Sequence, residues 1–166
     1  ADSGEDAIAY CDQDNYASNI ETAATFRSTD ERPAPTQELE KFPTPGVKTI
    51  SQLCEMIGTT PEQTIKTLIV DGTDGPVALV LRGDHELNAV KAQKLDGVAT
   101  PLTMADNAAI RKAAGADPGS LGPVGTELPV YFDHGVANLA DFTCGANEDG
   151  FHYKGVNFGR DLPDPE

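Results

Sequence analysis

The chain has 166 residues, 39% hydrophobic and 23% charged, which suits one domain with a buried core and excludes a coiled coil, a collagen-like repeat or a disordered chain. No apolar run approaches the roughly 20 residues of a membrane span, so the sequence reads as a soluble chain with no membrane partner. Lys and Arg total 12 against 27 Asp and Glu, a formal charge of -15; coating a duplex takes cations along its phosphates, so DNA is not a partner, although a short nucleic-acid end delivered by another domain still fits.

The three cysteines, Cys11, Cys54 and Cys144, are far apart, and no C-x-x-C occurs. Neither a disulfide framework nor a zinc knuckle is indicated, and reduced thiols in a cytoplasm are the simplest reading.

In chain order, residues 1–46 have the composition of a connecting arm. Ala1 to Asp6 is small and acidic, Asp12 to Asn15 is polar, and Thr29 to Thr36 carries Pro33 and Pro35. Ala7 to Cys11 is a short strand candidate, an orphan unless another strand pairs with it. Thr49-Ile-Ser-Gln52 and Thr60-Pro-Glu-Gln63 both fit a capping box, in which the Thr hydroxyl and Gln side chain satisfy orphan amides at a helix start. Ile50, Leu53, Cys54 and Ile57 follow the first at helical spacing, and Gly58 stops that helix. Pro61 occupies the first position of a second, short helical turn.

Thr64 to Val70 is rich in β-branched residues, Asp71 to Gly75 is a turn, and Val77 to Leu81 is continuously apolar, so the three read as a hairpin within a sheet. Leu87, Val90 and Lys91 begin a second amphipathic helix. Thr103 is the expected cap of a third, which runs through Ala105, Ala108, Ala109 and Ile110 to Gly115. Asp117 to Gly125 has too much Gly and Pro for a regular element. Val130 to Phe132 reads as a buried strand and Phe151 to Phe158 as the last one. Strands interleave with helices, so the class is α/β or α+β with a mixed sheet, and there is no internal repeat.

Several residues are candidates for chemistry. Period-two geometry puts Lys66 on one strand face with Leu68 and Val70, where a lysine either snorkels from an edge or points into a cavity. The loop Gly119-Ser-Leu-Gly-Pro-Val-Gly125 is either an ordinary long turn or a source of backbone amides for an anion or a polarised carbonyl. It is neither a Walker A loop nor G-x-G-x-x-G. His85, His134 and His152 lack metal-site spacing, and Ala89 stands where H-E-x-x-H needs its second His. Asp133-His134 follows a strand, as a turn or as polar groups at the mouth of a cleft. No Gly-x-Ser-x-Gly elbow occurs, Ser120 has no evident base, and Cys144 lacks an activating signature and reads as a small buried residue. An enzyme built this way positions and polarises a reactive bond for attack by water.

Thr64-Ile-Lys-Thr-Leu68, Leu81-Arg-Gly-Asp-His-Glu-Leu-Asn88, Gly119 to Gly125 and Gly145-Ala-Asn-Glu-Asp-Gly-Phe-His-Tyr-Lys-Gly-Val-Asn157 occur in this order. Together they resemble the insertion (editing) domain of bacterial prolyl-tRNA synthetases over about residues 45 to 161. Ala1 to Cys11 is similar to the segment leaving the class II catalytic core of that family, and Asn157 to Pro163 to the return into it. The resemblance implies an α/β domain with a mixed, partly barrel-like β-sheet flanked by helices. It also implies a division into an arm (1–46), an editing domain (47–161) and a return linker (162–166).

The function so implied is hydrolysis of alanine wrongly attached to the tRNA for proline, in cis with the synthetase. An active site that holds proline cannot strongly reject alanine, because each missing methylene is worth only about 1–3 kcal/mol. Carried over by position, Lys66 acts on the terminal phosphate or the substrate carbonyl. Gly122, Pro123 and Gly125 lie in the loop whose amides orient the 3′ end and polarise the ester. Asp133 and His152 shape the alanine pocket. The implied partners are the mischarged tRNA 3′ end and the synthetase core. No metal or cofactor is implied for editing, ATP and Mg belonging to that core. Two departures from the family pattern are Phe158, where many relatives have tryptophan, and His134-Gly135, where an arginine is frequent. Two other readings stay open: a trans-editing-like deacylase of another misacylated tRNA, such as Cys-tRNA for proline, and a non-catalytic module that binds the tRNA end or stabilises the synthetase.

Overall fold

A computed structural model of the chain describes residues 8–10, 17–19, 22, 23, 25 and 28–165. The acidic start, the polar 12–15 stretch and Cys11 lie outside the described residues. Eight strands and four helices are defined among those described. They are β1 (Ile8–Tyr10), β2 (Ala17–Asn19), β3 (Glu40–Pro43), α1 (Ile50–Ile57), β4 (Ile65–Val70), β5 (Val77–Arg82), α2 (Ala89–Ala92), α3 (Asn107–Ala114), β6 (Val130–Phe132), α4 (His134–Ala137), β7 (Phe142–Gly145) and β8 (Phe151–Val156).

The strands form a β1–β2 pair and two three-stranded sheets, β3-β8-β7 and β4-β5-β6. The first of these sheets is antiparallel throughout, whereas β5 runs antiparallel to β4 and parallel to β6. The class is therefore mixed α/β. The expected partly barrel-like closure is not confirmed: a bridge from Thr64 to Thr143 links the two sheets at one corner, and no closed barrel forms among the described residues.

The strand expected near Ala7 to Cys11 is not an orphan, because Ile8–Tyr10 pairs with Ala17–Asn19. Residues 40–43, within the span read as an arm, pair with Lys154 to Phe151 as an edge of the first sheet. Asp141 fastens the arm further along, accepting hydrogen bonds from the Thr36 and Gln37 backbone amides and, at 2.6 Å, from the Thr36 hydroxyl.

Local signals account for most helix ends. Thr49 forms the full capping box with Gln52, and Gly58 ends α1 in the left-handed region at φ 68°. Two expected caps are corrected. Thr60 makes no side-chain cap, since Pro61–Gln63 is one 3-10 turn that gives way at once to β4. Thr103 bonds instead to the Pro101 carbonyl, and Asp106 caps α3 by accepting from the Ala109 amide.

The core lies between the sheets, where Ile65 and Val80 meet Phe142, Cys144, Val156 and Phe158. Phe158 packs edge-on to Phe132 and tilted on Phe142, with the Arg32 guanidinium over its ring. Strand β5 is buried on both faces, because Val77 and Leu79 turn to a second apolar cluster with Ala92 and Val98, which explains its unbroken apolar run. Strand β6 is only half buried, at the sheet edge. Burial pushes the Cys144 thiol well above the ordinary thiol range, consistent with a packing role. Phe142 has no exposed surface, so Phe142→Ala is expected to lower the unfolding free energy by about 3–5 kcal/mol, read as a lower urea midpoint at unchanged slope.

Candidate functional site

The site is built along the outer edge of β4. Its other edge is filled by β5, with Lys66 opposite Leu81 and Thr67 opposite Val80. Bridges from Thr64 to Thr143 and from Val70 to Met104 close the two ends of the outer edge. Between them opens a cleft of about 620 Å³, lined by residues 65–68, the start of α1 with Ile50 and Leu53, the turn around Pro118 and Gly119, and Leu121, Gly145 and His152.

Lys66 enters this cleft. Its side chain is 21% exposed, and its ammonium lies 3.4 Å from Glu86, whose own side chain is 93% exposed. A carboxylate so fully in water holds its partner loosely. The cation is therefore sheltered along its stem and free at its head to meet an anionic oxygen.

The Gly/Pro loop reaches the cleft at its beginning. The Ser120 amide donates to the Asp117 carbonyl, with Pro118 and Gly119 between them and Gly119 at φ 101°, the arrangement of a type II turn. Gly119 abuts the backbone of Lys48, where a Cβ would come within 3.0 Å. Gly122 does something else. Its amide donates to Asn147 Oδ1 at 2.9 Å and its carbonyl accepts from Asn147 Nδ2 at 2.9 Å. A Cβ on Gly122 would sit 1.9 Å from the Gly145 carbonyl oxygen. Gly122 thus lets two backbones touch, and its N–H is already committed. Neither Gly122, Pro123 nor Gly125 lines the cleft; Gly125, at φ 73°, supplies a left-handed bend. Ser120 and Gly122 commit their amides within the protein, while Gly119 and Leu121 line the cleft.

His152 forms part of the cleft wall. It is 4% exposed, and its Nδ1 lies 2.6 Å from the hydroxyl of Thr44, itself fully buried. Burial lowers the imidazole below the ordinary histidine range, so the ring is neutral near pH 7. With Nδ1 tied to Thr44, Nε2 is the nitrogen left to the cleft. Thr44 and Asn147 are the residues that sequence reasoning missed. Thr44 sits 108 positions from its partner, and nothing local marks it; Asn147, at φ 54°, carries the faint signal of a residue type that tolerates the left-handed region.

Asp133 lies elsewhere. It caps α4, accepting from the Gly135 amide at 3.0 Å, and approaches His85 Nδ1 at 3.4 Å. It lines a second hollow of about 880 Å³ with Leu79 and Tyr131, which meets the Lys66 cleft only at Glu86. Among the described residues no group of three His, Cys, Asp or Glu side chains is arranged to hold a metal ion.

Because His152 binds its proton less readily in the folded chain than in the unfolded one, its contribution to stability is whole above about pH 6.5 and lost as the pH falls toward its lowered folded value. The unfolding free energy is expected to drop between pH 7.5 and 5.5, and to drop less in His152→Gln, as measured by urea titration at each pH.

The family described as aminoacyl-tRNA editing domain matches residues 44–162, a span that takes in Thr44, Lys66, the turn at Gly119 and His152. The chain is 53% identical, over 167 aligned positions, to a protein of Chromobacterium violaceum named proline--tRNA ligase. That match takes in 100% of this chain and 29% of the ligase, so the chain spans well under a third of that relative. Among solved structures, a scaffold protein used for computational grafting of linear epitopes is similar at TM-score 0.61 and 25% identity, covering 70% of this chain and 75% of that one. A structure described as that of a candidate trans-editing enzyme for prolyl tRNA synthetase is similar at TM-score 0.61 and 24% identity, covering 70% and 74%, a likeness of fold. The matched span holds both sheets' central strands and the whole cleft, and the chain belongs to the aminoacyl-tRNA editing domain family.

Proposed function

We propose that this domain hydrolyses alanine from mischarged tRNA for proline, acting in cis as an insertion in a prolyl-tRNA synthetase. The observation that carries the reading is the single cleft that holds a loosely partnered ammonium, the Pro118–Gly119 turn and a neutral buried imidazole. The 53% identity to a proline--tRNA ligase supports the synthetase context. The partners in this reading are the tRNA 3′ end and the class II core of the same enzyme, where ATP and Mg belong.

The chemistry asked of the domain is modest. An aminoacyl ester beside a ribose hydroxyl is already activated, and water adds to its carbonyl carbon to give a tetrahedral oxyanion. Preorganised peptide N–H groups stabilise such an oxyanion because they need no reorientation as charge develops; in this reading Gly119 and Leu121, which line the cleft, supply them. The carbon–oxygen bond to the ribose then breaks, alanine leaves as the free acid, and the ribose oxygen recovers a proton. Lys66 draws in the terminal phosphate or the ester carbonyl oxygen. His152 Nε2 orients the aminoacyl group against the apolar wall made by Ile50 and Leu53. Gly122, Pro123 and Gly125 act by fixing the loop, and Asp133 by holding the α4 end and the neighbouring hollow in shape.

The test is release of amino acid from Ala-tRNA and Cys-tRNA for proline by the wild-type chain and by Lys66→Ala, at enzyme concentrations raised until turnover saturates. Alanine release that falls about a hundredfold or more in the variant is the expected result, the scale of losing one charge-stabilising donor. Release of cysteine alone would point to a trans-editing-like deacylase, and release of neither to a non-catalytic module.

A further inference from the structure

Thr44 follows β3 directly and has no exposed surface. Its amide continues the ladder by donating to the Gly150 carbonyl at 2.7 Å. Phe42 stands opposite His152 in the β3–β8 register, so Thr44, two residues on, shares that face and lies diagonally across from the imidazole. His152 is also paired on its other side, with Gly145 of β7. Backbone pairing thus fixes both residues, and Thr44 Oγ1 meets His152 Nδ1 at 2.6 Å.

A neutral imidazole carries one ring proton, and the partner of one nitrogen decides what the other presents. Burial keeps His152 neutral near pH 7. A proton on Nδ1 would be donated to Thr44, and the threonine hydroxyl hydrogen would then need another acceptor. Among the described residues Thr44 Oγ1 has no partner but His152, and at 0% exposure it is closed to bulk water. A buried hydroxyl hydrogen without an acceptor is costly. The opposite arrangement satisfies both groups: the hydroxyl donates to Nδ1, and the ring proton sits on Nε2.

Nε2 has no protein partner among the described residues, yet it is not sealed in. The one side-chain nitrogen or oxygen among them that is both closed to solvent and unpaired is Thr67 Oγ1. Since His152 lines the cleft, its Nε2–H is a donor open to a ligand there. An aminoacyl ester offers acceptors in its carbonyl, ribose and phosphate oxygens, whereas its α-ammonium only donates.

We propose that Thr44 is a positioning residue whose hydroxyl holds the His152 proton on Nε2, making the ring a fixed hydrogen-bond donor to an oxygen of the aminoacyl ester. A ring so held neither takes a proton from the attacking water nor reads the α-ammonium. This inference rests on the editing function proposed above, and its test separates the two.

Ring 15N–1H correlation spectra near pH 7.5 read the tautomer without substrate, the His152 signals being those lost in His152→Ala. The wild type and Thr44→Ser are expected to show a protonated Nε2 and a bare Nδ1, and Thr44→Val a mixture of the two tautomers. The same chains are assayed for kcat/KM on the alanyl and lactyl esters of the tRNA for proline, the latter carrying a hydroxyl in place of the ammonium. Thr44→Val is expected to lose roughly tenfold, the scale of one hydrogen bond, equally on both esters, and serine to restore the rate. In a His152→Ala background Thr44→Val should cost nothing further, because it acts through the ring. A wild-type ring protonated on Nδ1 would overturn the proposal, whether or not the valine variant folds. So would a loss confined to the alanyl ester, or a full second loss in the His152→Ala background. Inactivity of the wild type on both esters would overturn the editing function and with it the role toward the ester, while a protonated Nε2 would still bear out the Thr44–His152 bond.

Discussion

The contact on which the site depends is the meeting of two backbones at Gly122 and Gly145. Neither position has room for a Cβ, so the loop lies against the end of β7 at a distance that side chains would forbid. Asn147 then locks the approach by satisfying both the amide and the carbonyl of Gly122, while its own amide donates to Ser120. Loops with unmet backbone groups belong at the surface; this one is held inside because an asparagine side chain supplies the missing partners. With the loop fixed, the Pro118–Gly119 turn forms one side of the cleft and β4 the other.

Division of labour along β4 follows from its place in the sheet. One face feeds the core between the sheets, the other covers an outer apolar cluster, and the outer edge lines the cleft over the length of residues 65–68. Lys66 and Thr67 are neighbours in sequence but turn to opposite faces of the sheet. A strand edge gives such a pair with little freedom to adjust, since backbone pairing to β5 sets both Cα positions.

Much of this framework was legible in the sequence where the signal is local. The box Thr49-x-x-Gln52, the stop at Gly58 and the β4–β5 hairpin depend on residues within a few positions of one another. Thr60 and Thr103 carried similar local signals and failed for local reasons: the first leads into a single 3-10 turn, and the second lies three residues ahead of Asp106, which takes the cap. At the site, pattern alone left Lys66 open between edge and cavity, and the resemblance to editing domains singled it out together with His152. The resemblance also drew attention to Gly122, Pro123 and Gly125, whereas the turn that lines the cleft comes earlier in the same loop. Thr44 and Asn147 owe their importance to partners across the fold, which no spacing rule encodes.

An unpaired strand edge is also a hazard, because it can recruit a strand from another molecule and seed aggregation. Here the hazard is contained by length and charge: bridges at Thr64 and Val70 shorten the open stretch to less than a strand's usual span, and Lys66 stands in the middle of it. The ammonium proposed to draw in an RNA end therefore has a second effect, making the same groove inhospitable to stray polypeptide, so that replacing it with an apolar residue would be felt in solubility whatever it does to turnover.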